Sequence, residues 1–181
     1  MGRDHVTEVL VTSKPDFDSV IELYSTEIFA YLWRQLNGRE DAEDCLQEVF
    51  VRAFKAYDRL NEDPQIRAWL YKIATNEAIS FRRKRNQNLA LNVKIDYDFL
   101  SSDPSPMDQL ELKERFEVLM GAIEALPNRQ RSALMMRKYQ ELSYAEISRI
   151  LDCSEEAARA NVYQALKKLR ARFLDGMKVL E

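Results

Sequence analysis

The side chains with chemical capacity in this 181-residue chain are mostly charged, and they are sorted along the sequence. Arg82-Arg83-Lys84-Arg85 closes one apolar-periodic segment, and Lys167-Lys168-Leu169-Arg170-Ala171-Arg172 closes another. Asp41-Ala42-Glu43-Asp44-Cys45-Leu46-Gln47-Glu48 forms an acidic run. Cations following Trp69, Tyr71 and Asn76 suit single-stranded nucleic acid, whose bases stack on aromatics while its backbone is neutralised. The plainer account of the same cations is a solvated helix end that complements the macrodipole. The apolar stripe of the acidic run leaves Asp44, Gln47 and Glu48 outward, either as a solvated face or as a docking surface for a basic or polar partner helix.

The acidic run also admits an enzyme reading, in which Glu40, Asp41, Glu43, Asp44 and Glu48 hold a divalent metal for nuclease or phosphohydrolase chemistry. Asp41, Asp44 and Glu48 do fall at helical steps on one side. No second carboxylate helix of matching spacing follows, so a solvated or docking face is preferred. His5 is the only histidine, and Cys45 and Cys153 are the only cysteines. These cannot supply about four soft zinc ligands, and the thiols are expected to be buried and reduced. A single His near the terminus also argues against His-based acid–base chemistry. No catalytic residue, metal or cofactor is expected, and the chain is read as not an enzyme.

The net charge of −3 disfavours DNA binding until it is mapped. Residues 16–60 hold ten acidic and five basic side chains, and residues 61–85 hold three acidic and six basic. Residues 86–110 have four Asp against one Lys, and residues 157–181 have six basic and two acidic side chains. This alternation suggests two nucleic-acid contacts and a different partner for the acidic face. Affinity grows with the phosphates neutralised, so weak binding to DNA alone is expected. No apolar run of about 18 residues is present to span a membrane. Met1-Gly2-Arg3-Asp4-His5 has no apolar core behind it, so a cytoplasmic chain without membrane insertion is expected.

Helices must hold these groups. Apolar residues recur at three- and four-residue steps over about Asp16–Leu36, Arg39–Leu60 and Gln65–Lys84. Asn37-Gly38 ends the first of these. Trp69, Leu70, Ile73, Ala74 and Ala78 are read as facing inward in the third. The period is lost over 86–107, where Ser101-Ser102-Asp103-Pro104-Ser105-Pro106 has a linker composition. It resumes near Met107, and Pro127 sits where a new helix can start. Two further helices are expected, about Ser143–Leu151 and Ser154–Phe173. Ser143 and Ser154 are their N-caps, and Asp152 suits a left-handed turn between them. Small Ser148 permits close approach, and Cys153 plugs the turn. This is helix-turn-helix spacing: the second helix offers its N-terminal side chains to base edges, while basic residues such as Lys167 and Lys168 meet phosphate. An ordinary helical hairpin with a solvated basic face is the alternative.

Taken in order, the acidic helix, Arg67-Ala68-Trp69-Leu70-Tyr71-Lys72-Ile73-Ala74-Thr75-Asn76, Arg82-Arg83, the linker, Leu126-Pro127-Asn128-Arg129-Gln130-Arg131 and Leu142-Ser143-Tyr144 with Glu146-Ile147 resemble one family. The chain looks like an extracytoplasmic-function (ECF) sigma factor of bacterial RNA polymerase, over about residues 16–85 and 110–173. The resemblance implies an all-α chain of two small helical domains on a flexible linker, divided as an N-terminal segment 1–15, region 2 over 16–86, an acidic linker over 87–109 and region 4 over 110–181. It implies that Asp44, Gln47, Glu48 and Phe50 dock on the polymerase beta-prime coiled coil, and that the second domain meets the beta flap. Arg67, Trp69, Asn76, Arg82, Arg83 and Arg85 would serve the minus-ten element, with the loop at Asn61–Arg67 helping to capture a flipped base. Ser143, Tyr144, Ser154, Arg159, Asn161, Tyr163, Gln164, Lys167 and Lys168 would serve the minus-thirty-five element. Asn161 and Gln164 stand where the family often has basic residues, although amides can still pair with adenine. The acidic linker would imitate nucleic acid in the polymerase RNA channel, and an anti-sigma protein is the implied regulator. The rival binding reading is a helix-turn-helix regulator that is not a polymerase subunit. It accounts for residues 126–173 but not for the Trp69–Arg85 block or the acidic helix.

Overall fold

The computed structural model describes residues 14–60, 65–88 and 117–177. These residues form helices and no strand. In chain order the helices are α1 (Phe17–Leu36), α2 (Arg39–Tyr57), α3 (Ile66–Asn88), α4 (117–124), α5 (Asn128–Lys138), α6 (Tyr144–Ile150) and α7 (Glu155–Met177).

The first three helices pack on one another. Asp16 caps α1 by accepting the Ser19 N–H at 2.8 Å, which holds its carboxyl pKa below the ordinary value. Asn37 ends α1 in the left-handed conformation with φ 54°, and its N–H donates to the Trp33 carbonyl at 2.8 Å. Asn tolerates this geometry where most side chains clash. The buried stripe of α2 is Ala42, Cys45, Val49, Ala53 and Tyr57. Two of its five members are Ala, so α2 can lie close to its neighbours. Phe17 seals one end of the bundle, with Phe50, Phe54 and Tyr57 ring centroids 6.4, 5.3 and 5.1 Å away. Each fully buried Leu, Ile or Val contributes about 1.5–3 kcal/mol.

Tyr71 corrects the sequence reading. It was expected among exposed aromatics, yet it is fully buried, edge-on to Tyr31 at 5.1 Å. Its hydroxyl donates to Glu27 at 2.8 Å, and burial together with that carboxylate pushes its pKa up. A buried phenol is tolerated because its polar end has a partner. Helix α3 also runs past Lys84 to Asn88, because no Gly or Pro interrupts Arg85–Asn88.

The last three helices form the helix-turn-helix unit. Ser143 and Glu146 cap α6 reciprocally: the Glu146 N–H donates to Ser143 Oγ at 3.2 Å, and the Ser143 N–H donates to Glu146 Oε2 at 2.8 Å. Asp152 turns the chain with φ 49°, and the Cys153 N–H donates back to the Ser148 carbonyl at 3.0 Å. Ile147, Ile150, Ala158, Val162 and Ala165 bury the facing sides.

The two units share one continuous core. Helix α1 packs on α5, and α3 packs on α6. Arg131 of α5, 1% exposed, joins them. It donates to the carbonyls of Ile123 at 3.0 Å, Leu126 at 3.3 Å and Gln35 at 3.4 Å, and also to that of Glu124. Gln35 lies in the first unit and the other three in the second. Burial, reinforced by Arg82, pulls the guanidinium pKa below its ordinary value.

Candidate nucleic-acid and polymerase interface

Three surfaces carry the charged side chains singled out by sequence. The first is the outer face of α2. Asp44, Gln47 and Glu48 are exposed there. Arg52 donates to Glu48 at 2.8 Å and stands 3.0 Å from Glu77, so this row of charge is braced from within its own bundle. Phe50 is half-buried against Phe17. Sequence reasoning missed two residues here. Val51 is 45% exposed and Phe54 65% exposed, at helical steps from Asp44 and Glu48. The signal was available, since residues 44, 47/48, 51 and 54 share one helix face.

The second surface is α3. Asn76, Arg83 and Lys84 are exposed, while Trp69 is half-buried with its ring 6.2 Å from that of Tyr57. The remaining cations are engaged. Arg67 Nε donates to Glu27 at 3.0 Å, and its Nη1 reaches Glu146 at 3.3 Å. Lys72 Nζ lies 2.8 Å from Asp152. Arg82 donates to Asn128 Oδ1 at 3.0 Å and to the Glu124 carbonyl at 3.1 Å. Burial, aided by Arg85, lowers its pKa. Arg85 donates to the Leu36 carbonyl at 2.8 Å, contacts Asp41 at 3.1 Å and stands 3.5 Å from Glu124. Residues 61–64 of the expected base-capturing loop lie outside the described residues. So do residues 1–13, with His5, and residues 89–116, with most of the expected linker.

The third surface is α7. Arg159, Tyr163, Gln164, Lys167 and Lys168 are exposed, and Asn161 is half-buried at the flank. Arg159 lies over the Tyr144 ring at 4.6 Å, and Arg137 lies against the same ring at 4.9 Å. Each such contact is worth about 0.5–1 kcal/mol at an exposed site. Ser154 accepts the Ala157 N–H at 3.1 Å, so Ser143 and Ser154 both serve as caps in this arrangement.

Among the described residues no group of three or more His, Cys, Asp or Glu is placed to hold a metal ion. No described helix is long and apolar enough to cross a membrane. Cys45 is buried, which pushes its thiol pKa up to about 12, and Cys153 is half-buried.

These surfaces fall within two family matches. Residues 20–88 match Sigma-70 region 2, and residues 116–169 match Sigma-70, region 4. The ECF RNA polymerase sigma factor SigM of Bacillus subtilis is 30% identical over 164 residues, covering 88% of this chain and 96% of the relative. The chain belongs to the ECF sigma factor family. SigW of Bacillus subtilis is also similar, at 25% identity over 97% of this chain and 98% of the relative. In solved structures the fold resembles the sigma factor RpoE in complex with the anti-sigma factor NepR from Bartonella quintana, with TM-score 0.63, 23% identity, and 91% of this chain and 98% of that chain covered. It also resembles CnrH in complex with the cytosolic domain of CnrY, with TM-score 0.62, 21% identity and coverage of 88% and 87%.

This ECF sigma factor directs RNA polymerase to promoters and initiates transcription. Sigma factors are regulatory subunits rather than enzymes. The rival regulator reading is not favoured, because it leaves region 2 unexplained. The two regions also follow one another in the order expected from the residues.

Proposed function

We propose that this sigma factor divides its task among the three surfaces. The exposed row Asp44, Gln47 and Glu48 on α2, extended by Val51 and Phe54 and backed by Phe50, docks on the polymerase beta-prime coiled coil. An apolar centre with a charged surround is what a stable docking patch needs. Arg67, Trp69, Asn76, Arg82, Arg83 and Arg85 on α3 grip the melted minus-ten strand. Helix α7 reads the minus-thirty-five duplex through Arg159, Tyr163 and Gln164, with Asn161 at the edge of that face. Lys167 and Lys168 contact phosphate, and Ser143, Tyr144 and Ser154 hold the helix-turn-helix in register against the backbone. The second unit meets the beta flap.

The observation that carries this reading is the placement of three differently charged faces on one chain that matches both sigma regions. An anti-sigma protein is the expected regulator, since one protein of this fold, RpoE of Bartonella quintana, is described in complex with the anti-sigma factor NepR. The working place is the cytoplasm, and the units are divided near 16–86 and 110–181 with a linker over 87–109. No chemistry at a carboxylate cluster is assigned.

The test is promoter-directed transcription with purified core polymerase. Run-off product should need both core and this protein, and Asp44→Arg should weaken retention on core about tenfold. Failure of core to retain the unaltered protein would overturn the reading.

A further inference from the structure

A cavity of about 200 Å³ lies where the end of α1 meets α4 and α5, and none of its residues is assigned to polymerase or DNA above. Its walls are apolar: Trp33 from α1, Met120 and Ile123 from α4, and Met135 from α5. Phe29 stacks on the Trp33 ring at 6.0 Å. Arg34 and Tyr139 also border the cavity, with the guanidinium over the Tyr139 ring at 5.0 Å. Arg34 is held there by donating to the Ala30 carbonyl at 2.8 Å, and Tyr139 is 54% exposed, so this border faces solvent. The remaining lining residue is Asn37, the left-handed C-cap of α1. It is 6% exposed, yet neither its side-chain oxygen nor its side-chain nitrogen has a hydrogen-bond partner among the described residues.

We infer that this cavity binds a small, flat molecule with an aromatic body and one primary-amide or lactam edge. Size limits the body. An apolar cavity of about 150 Å³ accepts benzene, so one of about 200 Å³ takes a single substituted ring. Two methionines on the walls adapt to the outline of a ring, and both thioethers and the Trp33 face make favourable contacts with it. The polar edge follows from Asn37. Its amide offers a donor and an acceptor side by side, whichever way it is turned. An amide or lactam offers the same two functions in reverse order and satisfies both at once. A carboxylate meets the nitrogen and leaves the oxygen stranded, and a hydrocarbon strands both. The backbone does not account for this amide, because Gly suits a φ of 54° at a helix end and would strand nothing. A buried amide without a partner is a standing cost to the fold, and local rules are broken in this way at sites that serve a ligand. The walls come from α1 on one side and from α4 and α5 on the other. Binding therefore adds to the stability of the folded arrangement.

Benzamide, toluene and benzoate are the probes, since they share a ring and differ at the polar edge. On the full chain labelled with nitrogen-15, benzamide should shift the Asn37 side-chain amide and Trp33 indole resonances saturably. Its affinity should exceed that of toluene and of benzoate about tenfold, because each of those leaves a buried polar atom unpaired. At about ten times its dissociation constant, benzamide should raise the folded-to-unfolded ratio about elevenfold, read as a rise in the thermal midpoint. Asn37→Gly keeps the left-handed turn and removes the amide. That variant should fold at least as stably as the parent and bind benzamide and toluene equally. Met120→Trp, at a half-buried wall position, should fill the cavity and abolish binding of both. No saturable shift with any probe overturns the site, and binding that survives Met120→Trp overturns its placement. Preference for benzoate, or unchanged benzamide affinity in Asn37→Gly, overturns the amide chemistry. Toluene binding the parent as tightly as benzamide, or more tightly, overturns it in favour of an apolar side chain from a partner protein.

Discussion

Arg131 shows how one residue can be structural although its type suggests nucleic acid. Its planar fork meets four carbonyls, three at the end of α4 and one at the end of α1. The carbonyls of Ile123 and Glu124 also accept from the Leu126 N–H and from Arg82, whereas Arg131 is the donor that reaches those of Gln35 and Leu126 beside the helix ends. Arg131→Met should therefore lower stability by about 3 kcal/mol or more, read by denaturant unfolding, because each stranded buried acceptor costs about 1–3 kcal/mol. Arg131→Lys should recover only part of this, since an ammonium does not reproduce the fork. The exposed α2 side chains should behave oppositely. Asp44→Arg is expected to leave the unfolding free energy within about 0.5 kcal/mol of the parent's, read by denaturant unfolding, while core polymerase retention falls.

At the scale of elements, α6 is a seven-residue helix that depends on its cap. Ser143→Ala should cost about 1 kcal/mol in global stability, measured by chemical denaturation. The Ser143 hydroxyl and N–H, with Arg67 behind them, hold the Glu146 carboxyl below its ordinary pKa. A depressed folded-state pKa stabilises the folded form above the unfolded value of about 4.5, and that stability is lost as pH falls through the lower folded value. Acid titration of the packed form should show loosening of α6 from α3 only below the usual Glu range, and earlier in Arg67→Gln. Most helices were legible because their apolar periods were long and their stops were explicit, as at Asn37-Gly38 and Pro127. Tyr71 was not, because its burial depends on Glu27, 44 residues away. The pairing of α6 with α3 was equally invisible, since Arg67 and Glu146 are 79 residues apart and no local pattern encodes that contact. The charged faces of α2 and α7 were readable from helical spacing, whereas Val51 and Phe54 carry no charge to mark the exposed face that their spacing from Asp44 and Glu48 gives them.

For the whole molecule, the shared core implies that the two units unfold together when packed. Calorimetry at low salt should give one transition whose van't Hoff and calorimetric enthalpies agree. Two independent transitions would show that the units do not support one another. Rising salt should lower the midpoint, because the pairs between units are partly solvent-exposed and the Debye length falls from about 10 Å at 0.1 M to about 3 Å at 1 M. The left-handed turn at Asp152 ties these scales together. Asp and Asn both suit that backbone, so the turn constrains shape without fixing charge. The codons of these two residues differ by a single base. A lineage can therefore exchange a charged turn for a neutral one in one mutational step, keeping the helix-turn-helix while giving up the Lys72–Asp152 ion pair that links it to the first unit.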